Sequence, residues 1–214
     1  MSNILDEITG HKMAGLTIDV MSKLRDGTIA INELENFLKI PAEERRRIFG
    51  ILNKKIKFLA SVSVAELTKK FDPKNHFTEN KKVEYWLGDN FQKHVLKPTK
   101  TISSLPAMEF SKHQFTETIY DKEIMENFSI SKSSGLMTRE EILWTIAELT
   151  KKQPKGEAGI LINNGYATII GYMLCDDGVV RVVNVHWNAG TAKWYCYCND
   201  LVRWNAGDEM LSRN

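Results

Sequence analysis

The segment Gly159–Asn214, GILINNGYATIIGYMLCDDGVVRVVNVHWNAGTAKWYCYCNDLVRWNAGDEMLSRN, decides how the chain is read. Short apolar runs alternate in it with tight turns. The runs are Ile160-Leu161-Ile162, Ala167 to Cys175, Val179 to Trp187, Ala192 to Cys198 and Met210-Leu211-Ser212. Asn163-Asn164-Gly165 and Asp176-Asp177-Gly178 are hairpin signals, because Asn-Gly and Asp-Gly tolerate the positive φ that two-residue hairpins require. Asn188-Ala189-Gly190 and Asn205-Ala206-Gly207-Asp208 mark two further turns. The pattern predicts an antiparallel β-meander of four or five strands over 159–214.

A helix precedes it. Thr138 has the chemistry of an N-cap, and Glu141 three residues on completes a capping box. Ile142, Leu143, Ile146, Ala147 and Leu149 then fall on one face. Gln153-Pro154-Lys155-Gly156 ends the element, so the helix spans 138–153 and its apolar stripe is expected to back the sheet.

Further upstream, Ile56, Phe58, Ala60, Val62 and Val64 alternate with Lys57, Leu59, Ser61 and Ser63, which predicts a strand over 56–64 with the first set on one face. Ser63 and Glu66 have capping-box spacing, predicting a short helix to Phe71 that Asp72-Pro73 breaks. Val83 to Trp86 fits a strand or the start of a helix. Asp89 is placed to cap a helix over Asn90–Leu96, which Pro98 stops. Residues 99–136 read as one or two extended segments with loops.

Residues 3–56 read as helical, with Ile4, Ile8, Met13, Leu16, Ile18, Val20, Met21 and Leu24 at broadly helical spacing. Pro41 suits a first helical turn, and Glu43 and Glu44 suit its dipole. Asp26-Gly27-Thr28-Ile29 with Glu33 copies the second half of a calcium loop. The first half would place Ser22 and Leu24 at ligand positions, and leucine offers no side-chain oxygen, so a turn into a helix is the better reading.

The expected fold is therefore α+β: a small helical N-terminal module over 1–56, then an α+β domain over 57–214. The latter is a mainly antiparallel sheet, ending in the β-meander at 159–214 and backed by a helix. The composition, 43% hydrophobic and 26% charged, is that of a chain with a packed core. The chain opens without a basic stretch followed by an apolar one, and no apolar run approaches about 20 residues, so neither a secretory signal nor a membrane span is expected. Three cysteines, an odd number, fit free thiols in a reducing compartment, and the expected localisation is cytoplasmic.

Certain motifs follow one another along the chain: Trp86-Leu87-Gly88-Asp89-Asn90-Phe91, Lys152-Gln153-Pro154-Lys155-Gly156-Glu157, Asn164-Gly165-Tyr166, Val185-His186-Trp187 and Leu211-Ser212-Arg213-Asn214. As a set they resemble a family of uncharacterised proteins, often found in uncultivated, small-genome bacteria. The resemblance covers about residues 75–214. It implies that this stretch behaves as one unit, and it carries over no activity and no site residue.

Three constellations bear on function. Cys175, Cys196 and Cys198 with His186 could converge as zinc ligands, but Cys-x-Cys within a regular strand sets its thiols wide apart, and buried structural cysteines are the plainer reading. No metal and no cofactor are therefore expected. The aromatic set includes Tyr195 and Tyr197 on one face of a strand, opposite Trp194, Cys196 and Cys198. If exposed, the two tyrosines form a ligand surface for bases or sugars. Residues 39–100 carry 15 basic and 7 acidic side chains within a chain of net charge +2. Arg45, Arg46, Arg47, Lys54 and Lys55 are its phosphate-binding candidates, weighed against an ordinary solvated helix face.

The five histidines sit in no catalytic motif, and Glu140-Glu141 are explained by the helix dipole and cap. The sequence therefore points first to a non-catalytic binding or interaction protein with an unidentified protein partner. Nucleic-acid association through 39–100 comes second and an unrecognised enzyme third.

Overall fold

The structure, a computed structural model, describes residues 55–132 and 135–213, with Asn32 and Lys39. Apart from Asn32, Lys39, Lys55 and Ile56, the helical module expected over 1–56 lies outside the described residues, and with it the Asp26–Ile29 turn of the calcium-loop mimic, Arg45, Arg46, Arg47 and Lys54; Ile56 begins a strand rather than ending a helix. No helix among the described residues is long and apolar enough to cross a membrane.

The described chain is dominated by sheet, and the expected α+β arrangement is corrected accordingly. Nine strands occur in chain order: β1 Ile56–Val64, β2 Tyr85–Leu87, β3 Met108–Phe115, β4 Ile119–Tyr120, β5 Thr168–Leu174, β6 Val180–Asn188, β7 Lys193–Asn199, β8 Arg203–Trp204 and β9 Glu209–Arg213. Four short helices accompany them: α1 Pro73–Glu79, α2 Asp89–Phe91, α3 Asp121–Asn127 and α4 Arg139–Lys151. A π-helical turn, Gln92–Leu96, continues α2.

Seven strands form one mixed sheet in the order β1-β3-β9-β5-β6-β7-β2, and β4 and β8 form a separate two-stranded ribbon. Only β5, β6 and β7 are a consecutive meander. The last strand, β9, crosses back to run parallel to β5 and antiparallel to β3. At the far edge, β2 pairs in parallel with β7. The terminal segment is thus not a self-contained antiparallel unit. Ile160-Leu161-Ile162 is not a strand, because the buried Gln153 side chain bonds both the N–H and the C=O of Leu161, taking the backbone groups a ladder would use.

Local chemistry explains the elements that form. The β5–β6 hairpin closes at Gly178, whose φ of +75° is open to glycine at no steric cost. Thr138 caps α4, accepting from the Glu141 N–H at 3.2 Å, while the Glu141 carboxylate accepts from the Thr138 N–H at 2.8 Å. Ile142, Leu143, Ile146, Ala147 and Leu149 are buried, as the periodicity requires.

Other local expectations are overturned. No helix follows Ser63: its hydroxyl donates to Glu109 Oε2 instead, and Leu67 and Phe71 bridge to Leu105 and Ile102. Asp72-Pro73 begins a helix rather than breaking one. Asp72 caps α1 by accepting from the Asn75 N–H, and Pro73 occupies the first turn, where its missing N–H is not needed. In β1 the register shifts between Phe58 and Ala60. This bulge reverses the alternation, so Ile56 packs in one core and Val62 and Val64 in the other.

The sheet thus carries a core on each face. The first gathers α4, α1 and the π-helical turn over Phe110, Met173, Val183, Val185, Trp194 and Cys196. The second gathers α3 and the β4–β8 ribbon over Phe115, Ile169, Tyr172, Val182 and Met210. Those second-core positions come from β3, β9, β5 and β6. At the β7 and β2 end, that face carries partly exposed side chains instead.

Candidate ligand-binding surface

The exposed end of the second face is built by alternation. In β7, Trp194, Cys196 and Cys198 are buried inward, so Tyr195, Tyr197 and Asn199 point outward. Their β6 partners in register are His186 opposite Tyr195 and Asn184 opposite Tyr197. The edge strand β2 adds Trp86 beside Tyr195. Four aromatic rings therefore meet on one patch.

Their geometry is specific. Trp86 stacks on Tyr195 with ring centroids 4.8 Å apart and 21° between planes. His186 stacks on Tyr197 at 5.5 Å and 11°. Trp86 is 42% exposed, and it lies on an edge strand with no further strand beyond it among the described residues. Beside it opens a cleft of about 330 Å³, lined by Trp86, Gly88, Asp89, Asn90, Tyr197 and Asn199. Apolar ring and polar amide or carboxylate groups thus converge on one concavity.

The polar setting is neutral to acidic. Lys193 at the rim is paired with Glu84 at 3.2 Å, and Asp89 lines the cleft. Burial lowers the pKa of His186, so its imidazole favours the neutral form. Burial likewise raises the pKa of the Tyr197 phenol. The patch presents hydrogen-bonding edges rather than fixed positive charge.

Tyr195 and Tyr197 share one face of β7, as the alternation requires, and that face is the outward one. The zinc set does not come together. His186 points to the outward face while Cys175, Cys196 and Cys198 are buried in the inward core, so the sheet separates imidazole from thiols. Cys196 is fully buried, and desolvation pushes its thiol pKa well above the ordinary value. Of the phosphate-binding candidates, Lys55 is engaged by Glu123 at 2.7 Å. The basic stretch also straddles the sheet: Lys57 lies on β1 at one edge, and Lys81 and Lys82 precede β2 at the other.

Two features escape local sequence reasoning. Trp86 sits in a three-residue strand that the sequence leaves open between strand and helix, and only its pairing with β7 brings it to Tyr195. The ligand atoms of His94, Cys175 and Asp177 lie within 4.8 Å of one another, although His94 is far from the other two in sequence.

No protein-family model, no curated protein and no solved structure matches this chain. The chemistry of the surface is accordingly argued from its own residues.

Proposed function

We propose that the protein is a non-catalytic binding protein whose ligand is a neutral carbohydrate seated against Trp86. The exposed Trp86 ring, backed by Tyr195 and bordered by Asp89, Asn90 and Asn199, carries this reading. A sugar ring has apolar C–H faces and polar hydroxyl edges. The first suit an indole face and the second suit amide and carboxylate groups, the mixture by which ligand clefts fix orientation. An anionic backbone fits less well, since phosphate recognition draws on clustered Lys and Arg, whereas Glu84 and Asp89 border this patch.

The test is a glycan array followed by calorimetric titration of the hits. The expected result is specific binding near ~1 mM for a short oligosaccharide, about −4 kcal/mol, lost in Trp86→Ala. An array without hits, or equal affinity in Trp86→Ala, would overturn the reading. So would preferential binding of single-stranded oligonucleotides.

A further inference from the structure

A second cluster lies in the first core, away from the aromatic patch, and does not depend on the carbohydrate reading. The β5–β6 turn, Cys175-Asp176-Asp177-Gly178, presents a thiol and a carboxylate two residues apart. Two hydrogen bonds hold it, from the Gly178 N–H to the Cys175 carbonyl and from the Cys175 N–H to the Val179 carbonyl, each 2.9 Å. Facing it is His94, on the π-helical turn, an insertion that often marks a functional position in a helix. Donor atoms of His94, Cys175 and Asp177 all lie within 4.8 Å of one another.

Arg139 joins these two segments. Its Nε donates to the His94 carbonyl at 2.8 Å, and its terminal nitrogen pairs with Asp176 at 2.6 Å. The first residue of α4 thus clamps the histidine segment to the turn. His94 is itself buried, 7% exposed.

Asp177 is held so that one oxygen stays available. Both of its hydrogen bonds, from the Val179 N–H and from the Arg181 guanidinium, go to Oδ1. Oδ2 makes neither. An arginine that fixes a carboxylate through one oxygen and leaves the other to a metal is an ordinary outer-shell arrangement.

Two arginines beside a cation site raise the question of charge. Arg181 also pairs with Asp200 at 3.0 Å, and Arg139 pairs with Asp176. Each guanidinium therefore has its own carboxylate. A dication would be balanced by the Cys175 thiolate and the Asp177 carboxylate, with a neutral imidazole as third donor.

We propose that His94, Cys175 and Asp177 form a binding site for one zinc-class divalent ion. A mixed nitrogen, sulfur and oxygen set selects borderline-soft zinc over calcium or magnesium, which take oxygen donors. Tetrahedral zinc places its donors roughly 3.3–3.8 Å apart, given bond lengths of about 2.0–2.3 Å. Closure from within 4.8 Å is a matter of side-chain rotation, chiefly of the exposed Asp177. Three protein donors leave the fourth position to water. Binding converts the Cys175 thiol to thiolate and releases its proton to solvent.

The test uses the full chain, stripped with chelator and titrated with zinc and, separately, with cobalt. The expected result is one zinc per chain, a raised unfolding temperature on loading, and a thiolate-to-cobalt charge-transfer band. Cys175→Ser removes the band and weakens zinc by about 100-fold or more, and Asp177→Asn weakens it by about 10–100-fold. Cys196→Ala, in the same core but outside the cluster, keeps both signals. Substoichiometric zinc, cobalt without a thiolate band, or unchanged affinity in Cys175→Ser overturns the site. Should Cys175→Ser fail to fold, the exposed turn variant Asp177→Asn decides, and unchanged zinc affinity there overturns the proposal as well.

Discussion

The Tyr172 hydroxyl donates to the Asp121 carboxylate across 2.5 Å inside the second core. The same Oδ1 accepts from the Trp204 indole at 2.8 Å, and Oδ2 accepts from the Val202 N–H at 2.5 Å. One carboxylate therefore ties β5, the segment entering β8, and the start of α3 into a single layer. Asp121 is 1% exposed, and burial raises its pKa against the pull of these three donors.

That shift has a sign. A carboxyl whose folded pKa exceeds its unfolded value of about 3.9 holds its proton longer in the folded state. Its contribution is fully present below about pH 3.9 and is lost as pH rises through the folded pKa. Relative to Asp121→Asn, the wild type is expected to lose stability over that rise, as read by urea unfolding at stepped pH. A difference that stays flat from pH 4 to 8 would count against this. Tyr172→Phe removes one donor and is expected to cost about 1–3 kcal/mol.

Gln153 is the second internal anchor. Its amide nitrogen donates to the carbonyls of Glu157 and Leu161 at 2.6 and 2.9 Å, its amide oxygen accepts from the Leu161 N–H, and its own carbonyl accepts from Trp194 Nε1. Gln153→Leu leaves the Leu161 groups buried without partners, at about 1–3 kcal/mol each. A loss of roughly 4 kcal/mol lowers the melting temperature by roughly 10 °C in a chain of this size. Calorimetry reads this directly, and a shift under about 3 °C would contradict it.

Beside that clamp, Gly156 lies against Trp187. A Cβ there would fall 2.2 Å from the indole ring, at a φ of +69°. Gly156→Ala combines left-handed strain with overpacking, together roughly 3 kcal/mol or more. Reduced soluble yield and a lower melting temperature are the expected outcome, and a wild-type melting curve would refute it.

These anchors show what was legible in the chain and what was not. The Asp177-Gly178 turn and the Thr138–Glu141 cap are encoded within a few residues, and both form. That Tyr195 and Tyr197 share a face opposite Trp194, Cys196 and Cys198 follows from simple alternation, but that this face is the outward one does not. The sheet order does not, because it rests on pairings between distant segments. β3 reads poorly as a strand: Met-Glu-Phe-Ser-Lys-His-Gln-Phe has no β-branched residue, and its Lys112 is buried only because Glu209 meets it. In β1 the alternation is real, but a bulge reverses it at Leu59. The proposed carbohydrate cleft needs β2 beside β7, and the proposed zinc-class cluster needs the π-helical turn beside the β5–β6 turn. Neither neighbour relation has a local signal.

Acid is expected to weaken the fold through its histidines. Burial lowers the pKa values of His76 and His113, whose rings meet the Tyr85 and Ser212 hydroxyls at 3.1 and 3.0 Å. A histidine held below its unfolded value of about 6.5 contributes stability that is present above that pH and is lost as pH falls through its folded pKa. The wild type should therefore unfold at lower urea at pH 5 than at pH 7, and His113→Gln should reduce the slope. An unchanged slope in both His113→Gln and His76→Gln would dismiss the assignment.

The Lys112–Glu209 pair gives the sharpest stability test. The two charges meet at 2.8 Å between β3 and β9, with their side chains 11% and 5% exposed. Burial raises the Glu209 pKa, and the Lys112 ammonium opposes that rise. Removing one partner strands the other charge in the core, so Lys112→Met alone and Glu209→Gln alone are each expected to cost about 3–5 kcal/mol. Replacing both with apolar residues removes two desolvation penalties at once. Lys112→Met with Glu209→Leu is therefore expected to recover most of that loss, giving strongly non-additive values in a double-mutant cycle. Additive losses would mean that the two side chains act through separate neighbours rather than through each other.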